Sequence, residues 1–175
     1  MTTAVIRPSR SSDLAGLSTL EQAADAVFAQ VGLTVITDAP APDPQTYAPA
    51  HEAGRLLVAV DPDDGAVGFV RLDLLDGDPH VEQVSVHPDH AGHGIGAALL
   101  TAAEELARNG GHHRITLTTY RDIPWNGPYY GPYYGRLGWT TIPDDACGPE
   151  LTAARRTGHP DDRHLHVERG RPPSW

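Results

Sequence analysis

Residues 84–100 read Val-Ser-Val-His-Pro-Asp-His-Ala-Gly-His-Gly-Ile-Gly-Ala-Ala-Leu-Leu, with glycines at 92, 94 and 96 between an alternating apolar run and an amphipathic one. That pattern predicts a strand, a turn, a glycine loop and a helix. Closely spaced glycines let successive N–H groups point the same way, and the helix N-terminus adds partial positive charge. Such a junction suits phosphate oxygens, so the expected ligand carries a pyrophosphate. Groups able to move protons lie nearby in sequence. Glu82 shares strand parity with Val84 and Val86, and His80 and Asp73 are the fallback bases. Downstream, Gly-Pro-Tyr-Tyr occurs twice in tandem, at 127–130 and 131–134.

The kind of phosphate ligand can be narrowed. A P-loop ends in Gly-Lys-Ser/Thr, and the chain contains no lysine. A dinucleotide fingerprint read from Gly92 requires glycine at 97, where Ala97 stands. It also wants an acidic residue closing the next strand, and Arg121-Asp122 after Tyr120 is a poor match.

The segment resembles motif A of the GCN5-related N-acetyltransferases (GNAT), a Val-x-Pro-like approach followed by Arg/Gln-x-x-Gly-x-Gly/Ala. Tyr133-Tyr134-Gly135-Arg136-Leu137-Gly138-Trp139 is similar to the family's Tyr-x-x-x-Gly-Phe element, with Asn126 upstream. Val5-Ile6-Arg7 followed by Asp13-Leu14 resembles its first strand and helix. Together these cover roughly residues 4–140. The resemblance implies an α/β (α+β) GNAT fold: a mixed, mostly antiparallel sheet of six to seven strands, splayed between strands 4 and 5 and flanked by about four helices.

It also implies acetyl-CoA as cosubstrate and an amine as acceptor. Ala91, Gly92, His93, Gly94, Ile95, Gly96 and Ala97 would hold the pyrophosphate, and Val84, Ser85 and Val86 the pantetheine arm. A free N–H on that strand would polarise the thioester carbonyl. Asn126 would bond the arm or anchor a strand end, and Arg136 would reach the outer phosphate. Tyr134 keeps the family spacing to Gly138-Trp139 and is preferred over Tyr130 as the acid for the leaving thiolate, a phenol being close to a thiol in pKa. Glu82 is the candidate general base, since an alkylamine holds its proton near neutrality (pKa about 10.4, as in lysine). Trp125, Tyr129 and Tyr130 cluster where a cationic acceptor would bind against π faces, or else fill core. Two positions depart from the family pattern: Ala91 replaces Arg/Gln, and His93 stands where a basic residue is common.

The elements that must position these groups are readable. Val5–Arg7 is a predicted strand, and Ser11/Ser12-Asp13 would cap a helix carrying Leu14, Leu17, Leu20, Ala24 and Val27. Residues 38–50 hold four prolines and predict a loop, then a short helix near 48–53; the family resemblance implies that this loop lies over the acceptor side, and a plain connector is the equal alternative. Leu56–Val60 and Ala66–Leu74 form a hairpin around Asp61-Pro62-Asp63-Asp64-Gly65, and Val81–Val86 follows as the fourth strand. The helix after the glycines should bury Leu99, Ala103 and Leu106, point Glu104, Glu105 and Arg108 outward, and end at Gly110-Gly111. Ile115–Tyr120, Thr140–Ile142 and Arg163–Arg169 are further predicted strands.

At 175 residues the chain is expected to be one domain over 1–171, with 172–175 a loose tail. A formal charge of −10 disfavours nucleic acid and suits a cationic partner. No apolar run is long enough for a membrane span, and a lone Cys147 suits a reducing, cytoplasmic setting. The ten histidines lack metal-site spacing, so no metal is expected. With no cysteine in the motif region to carry an acyl group, transfer to a small amine would be direct. A protein or peptide acetyltransferase and a non-catalytic acyl-CoA sensor remain the alternatives. The oligomeric state stays open, although the family resemblance allows a homodimer.

Overall fold

A computed structural model describes residues 4–120, 138–157 and 164–170. The described residues form seven strands and five α-helices: β1 Val5–Pro8, α1 Leu14–Asp25, α2 Thr34–Thr37, α3 Ala48–Glu52, β2 Leu56–Val60, β3 Ala66–Leu75, β4 Asp78–Val86, α4 Ile95–Asn109, β5 Arg114–Tyr120, β6 Thr140–Thr141, α5 Pro149–Thr157 and β7 His164–Gly170. The chain divides into two compact units, Met1–Leu72 with Gln83–Leu106, and Asp73–Glu82 with Ala107–Trp175. Strands β3 and β4 contribute to both. Strand order is β1-β2-β3-β4 on one side of β4 and β4-β5-β7-β6 on the other. The result is a mixed α/β sheet whose β4 and β5 run parallel.

In the first unit β1 pairs antiparallel with β2 from Val5–Val60 to Pro8–Leu57. β2 pairs with β3 from Leu56–Arg71 to Ala59–Gly68, with an irregularity at Ala59/Val60. All five β2 residues are buried, as expected of a strand covered on both faces. Leu17 and Leu20 of α1 pack with Tyr47, Ala50, Leu56, Val58, Val60 and Phe69. The ring of Tyr47 meets Phe69 edge-on at 5.5 Å.

The cap of α1 differs from expectation. A 3₁₀ turn over Ser11–Asp13 precedes the helix, and neither serine caps it. Asp13 turns back instead, accepting from the Arg10 amide at 2.6 Å and from both Arg7 guanidinium nitrogens at 2.8 and 3.1 Å. The Arg7 hydrogen bond is the main reason the Asp13 carboxyl sits below its ordinary range. α1 also stops at Asp25, so Val27 lies in a following 3₁₀ segment.

The proline-rich segment is fastened to α1. Ser18 Oγ donates to Pro42 O at 2.5 Å, and the fully buried Tyr47 donates to Glu21 Oε2 at 2.7 Å. Burial, then the charge of Glu21, pushes the Asp25 carboxyl up to about 6. A carboxyl with a raised folded-state value stabilises the fold fully only below its unfolded value, and this contribution is lost as pH rises through about 6. Asp25→Asn should therefore raise the melting temperature at pH 7.5, with the difference shrinking toward zero by about pH 4. Melts across that range check it, and a pH-independent difference would contradict it.

In the second unit β4 and β5 run parallel, and β7 pairs antiparallel with β5 from Arg114–Gly170 to Tyr120–His164. β4 begins at Asp78, three residues before the expected start. Helix α5, which periodicity did not announce, is capped from 74 positions away. The Asp76 carboxylate accepts from the amides of Glu150 (3.0 Å) and Leu151 (2.9 Å), and Glu150 accepts in return from the Asp76 amide. Asp76→Ala should cost about 1–2 kcal/mol in urea denaturation, and an unchanged midpoint would show the cap to be idle.

Candidate functional site

Strand β4 passes into α4 through residues 87–94. The β3–β4 ladder runs to its end, where His87 N donates to Val67 O at 2.9 Å. A 3₁₀ turn over Pro88–His90 follows, closed by His90 N to His87 O (2.9 Å) and Ala91 N to Pro88 O (3.0 Å). Gly92 and Gly94 then take φ of +77° and +78°, a left-handed backbone that L side chains resist. A side chain at either would meet no atom within 4 Å, so conformation rather than space demands glycine. Gly96 lies within the helix, and a Cβ there would sit an ordinary 3.8 Å from Val86 Cγ2.

The first helical bond is Ala98 N to Gly94 O, at 3.0 Å. The amides of Ile95, Gly96 and Ala97 therefore have no intrahelical acceptor, as at any helix start. Residues 91–94 are exposed beside them. His93 Nδ1 lies 3.2 Å from His90 O, an orientation that leaves Nε2 on the far side of the ring. A helix start with free amides beside two left-handed glycines is a backbone cradle that can receive an anion, with His93 the nearest basic side chain in sequence. A groove of about 820 Å³ borders it, walled by Ile6, Pro62, Val67, Gly92, Gly94 and Ala98.

Helix α4 holds the cradle against the sheet. At Gly68 a Cβ would lie 3.0 Å from Ser85 O, 3.2 Å from Leu99 Cδ1 and 3.3 Å from Ile95 Cγ2, so β3 lets the helix come close. Leu99, Leu100 and Ala103 are buried, and so is Glu104 at 8% exposure. The expectation that Glu104 points outward is thus corrected. It stands one turn beyond Leu100, and the buried arc of α4 is wide enough to take in both.

Among the predicted binding residues on β4, Ser85 is buried while Val84 and Val86 are half-buried. Gln83 Nε2 donates to Ser85 Oγ at 2.9 Å. Glu82 is exposed and Asp73 half-buried, whereas His80 is buried at 2% exposure. The β4–β5 ladder comprises two pairs, His80–Thr116 and Val81–Leu117. From Glu82 onward, β4 has no β5 rung among the described residues. Trp125, Asn126, Tyr129, Tyr130, Tyr134 and Arg136 lie outside the described residues. Among the described residues, no three His, Cys, Asp or Glu side chains gather as metal ligands, and no helix is long and apolar enough to cross a membrane.

The residues that composition did not single out are those around His80. Its Nδ1 lies 2.8 Å from Thr116 Oγ1, and Arg114 Nε donates to Asp78. One signal was present: a threonine between Ile115 and Leu117, in the middle of a strand buried on both faces.

The model of the acetyltransferase (GNAT) family matches residues 22–126, which span the β4–α4 junction. The chain belongs to that family. Solved structures are similar over nearly its whole length. The paiA N-acetyltransferase of Thermoplasma acidophilum, in complex with coenzyme A, matches with a TM-score of 0.70 at 15% identity, covering 97% of this chain and 99% of that one. The ribosomal-protein-S18-alanine N-acetyltransferase of Escherichia coli gives 0.65 at 15% identity, with 98% and 96% covered. N-acetylglutamate synthase of Neisseria gonorrhoeae, complexed with coenzyme A and N-acetyl-glutamate, gives 0.71 at 15% identity. That match covers 99% of this chain and 36% of the synthase, so the chain spans about a third of the synthase's length. At these identities the likeness establishes the fold.

Gly94→Ala should weaken binding of coenzyme A by about tenfold or more while the chain stays folded, because the strained left-handed residue (about 1–2 kcal/mol) sits in the cradle itself. Gly96→Ala should bind nearly as the parent does. Calorimetric titration of both variants checks the pair, and equal affinities would contradict it.

Proposed function

We propose that this chain is an acetyl-CoA-dependent N-acetyltransferase that moves the acetyl group directly to the primary amine of a small molecule. Residues 1–171 would act as one cytoplasmic catalytic domain. The observation that carries this reading is the amide cradle from Gly92 to Ala97, set at the start of α4 in a chain of the GNAT family. The cradle residues suit a pyrophosphate, and the part of β4 that has no β5 rung among the described residues suits an extended pantetheine arm.

In this mechanism Glu82 takes the proton of the acceptor ammonium, directly or through water, with Asp73 as the fallback base, since His80 is buried against Thr116. The freed nitrogen lone pair attacks the thioester carbonyl carbon. A backbone N–H from Val84 or Val86 stabilises the oxygen as it gains charge. The C–S bond breaks as the tetrahedral centre collapses, the hydroxyl of Tyr134 gives its proton to the departing sulfur, and the second proton of the attacking nitrogen passes through water to the tyrosinate, leaving the neutral amide and the thiol of coenzyme A. Asn126 and Arg136 hold the cosubstrate, and Trp125, Tyr129 and Tyr130 receive the cationic acceptor.

The pinned segment 38–50 supports a small acceptor. Its bonds from Ser18 and Tyr47 fix a wall over α1, where an extended peptide would want an open groove. The acidic pair Glu21 and Asp25 beside it, and the overall charge of −10, favour a cation.

Coenzyme A release should be measured across polyamines, amino acids, aminoglycosides and peptides. Release is expected with small amines. Tyr134→Phe should lower turnover by roughly 10²-fold or more, leaving acetyl-CoA affinity unchanged. Release with peptides alone would move the assignment to a protein acetyltransferase. Tight binding with no release would make the chain an acyl-CoA sensor. Unchanged turnover in the variant would remove Tyr134 from the mechanism.

A further inference from the structure

Where β4 and β5 meet, the backbone provides two rungs and the side chains provide two more. Asp78 and Arg114 form an ion pair, and two residues further along both strands His80 Nδ1 and Thr116 Oγ1 share a hydrogen bond of 2.8 Å. Side chains two apart on a strand share a face, so the pairs are successive rungs on the same faces of β4 and β5. The register agrees, since His80 and Thr116 are Cα partners. The next position on that face of β4 is Glu82, which lies past the last ladder pair, Val81–Leu117.

The upper rung is buried, with His80 at 2% and Thr116 at 1% exposure. Stability alone does not call for it. A buried polar pair yields little net over a well-packed apolar pair of the same shape, and it becomes costly when one partner is lost. Its distinctive contribution is register. Parallel pairing is slightly weaker per residue than antiparallel, and two rungs alone hold a strand loosely. If the strands slipped by two residues the apolar alternation would survive, but both side-chain bonds would break.

We infer that the His80–Thr116 hydrogen bond is the pin that fixes where β5 leaves β4, and that His80 is thereby a positioning residue for the acyl-bearing arm of acetyl-CoA on β4. The inference rests on the acetyl-CoA reading above. His80 acts through Thr116 and the strand, setting the depth at which Glu82 and the following amides of β4 present themselves. The lower rung, Asp78–Arg114, braces the same strands but stands further from the point of separation.

The test separates positioning from mere support. The double variant His80→Leu with Thr116→Val removes both members of the pin together and puts an apolar pair in their place, so it should melt near the parent temperature. Its acetyl-CoA affinity should nevertheless fall by about tenfold, equivalent to about 1.4 kcal/mol. Thr116→Ser, which keeps the hydroxyl, should bind within about twofold of the parent. Arg114→Ala should lower the melting temperature while leaving affinity unchanged. Calorimetry with acetyl-CoA, alongside thermal melts, reads all four proteins. A folded double variant binding as tightly as the parent would overturn the inference alone. So would affinity losses that track melting temperature through Arg114→Ala. A parent chain that binds no acetyl-CoA would overturn the acetyl-CoA reading, and this inference with it.

Discussion

The site depends on a backbone that must turn left twice in three residues. Gly92 and Gly94 take φ of +77° and +78° on either side of His93, so the chain passes from β4 into α4 through backbone angles that L side chains resist. The first helical bond then starts at Gly94 O, and the amides of Ile95, Gly96 and Ala97 are left facing outward for an anion. A dipole-assisted cradle of this kind is insensitive to the loss of one cationic side chain. On the proposed function this would make alanine tolerable at 91, where the family pattern has Arg or Gln.

The cradle is useful only if α4 is held in place, and the first unit supplies the hold. Gly68 lets Ile95 and Leu99 approach β3, and β2 is buried along its whole length beneath. On the other face α1 packs through Leu17 and Leu20, and Tyr47 and Ser18 tie the proline-rich segment to that helix. Both faces of one short sheet are thereby covered, the one by α4 and the other by α1 with its fastened segment. In the second unit the Asp76–Glu150 exchange secures α5, and two side-chain rungs hold β4 to β5.

Local signals were legible in the sequence and distant ones were not. The hairpin around 61–65, the apolar stripe of α1 and the strand–glycine–helix junction are written within windows of a few residues. The Asp76 cap joins positions 74 apart, and the His80–Thr116 bond joins positions 36 apart, so neither leaves a local trace. Glu104 was misplaced because a charged residue at the margin of a wide buried arc looks, by periodicity alone, like an outward one. Ser11 and Ser12 look like caps by type, yet Asp13 meets the need because Arg7 and the Arg10 amide both point at it. The tyrosine and asparagine roles rest on motif spacing alone, since residues 121–137 lie outside the described part.

The most direct measurement is amide NMR of the whole chain during titration with coenzyme A. The largest shifts are expected at Gly92 to Ala97, where the free amides meet the pyrophosphate, with a second group at Val84 to Val86. Saturating shifts confined to other residues, or no shifts at all, would contradict a cofactor cradle at the start of α4.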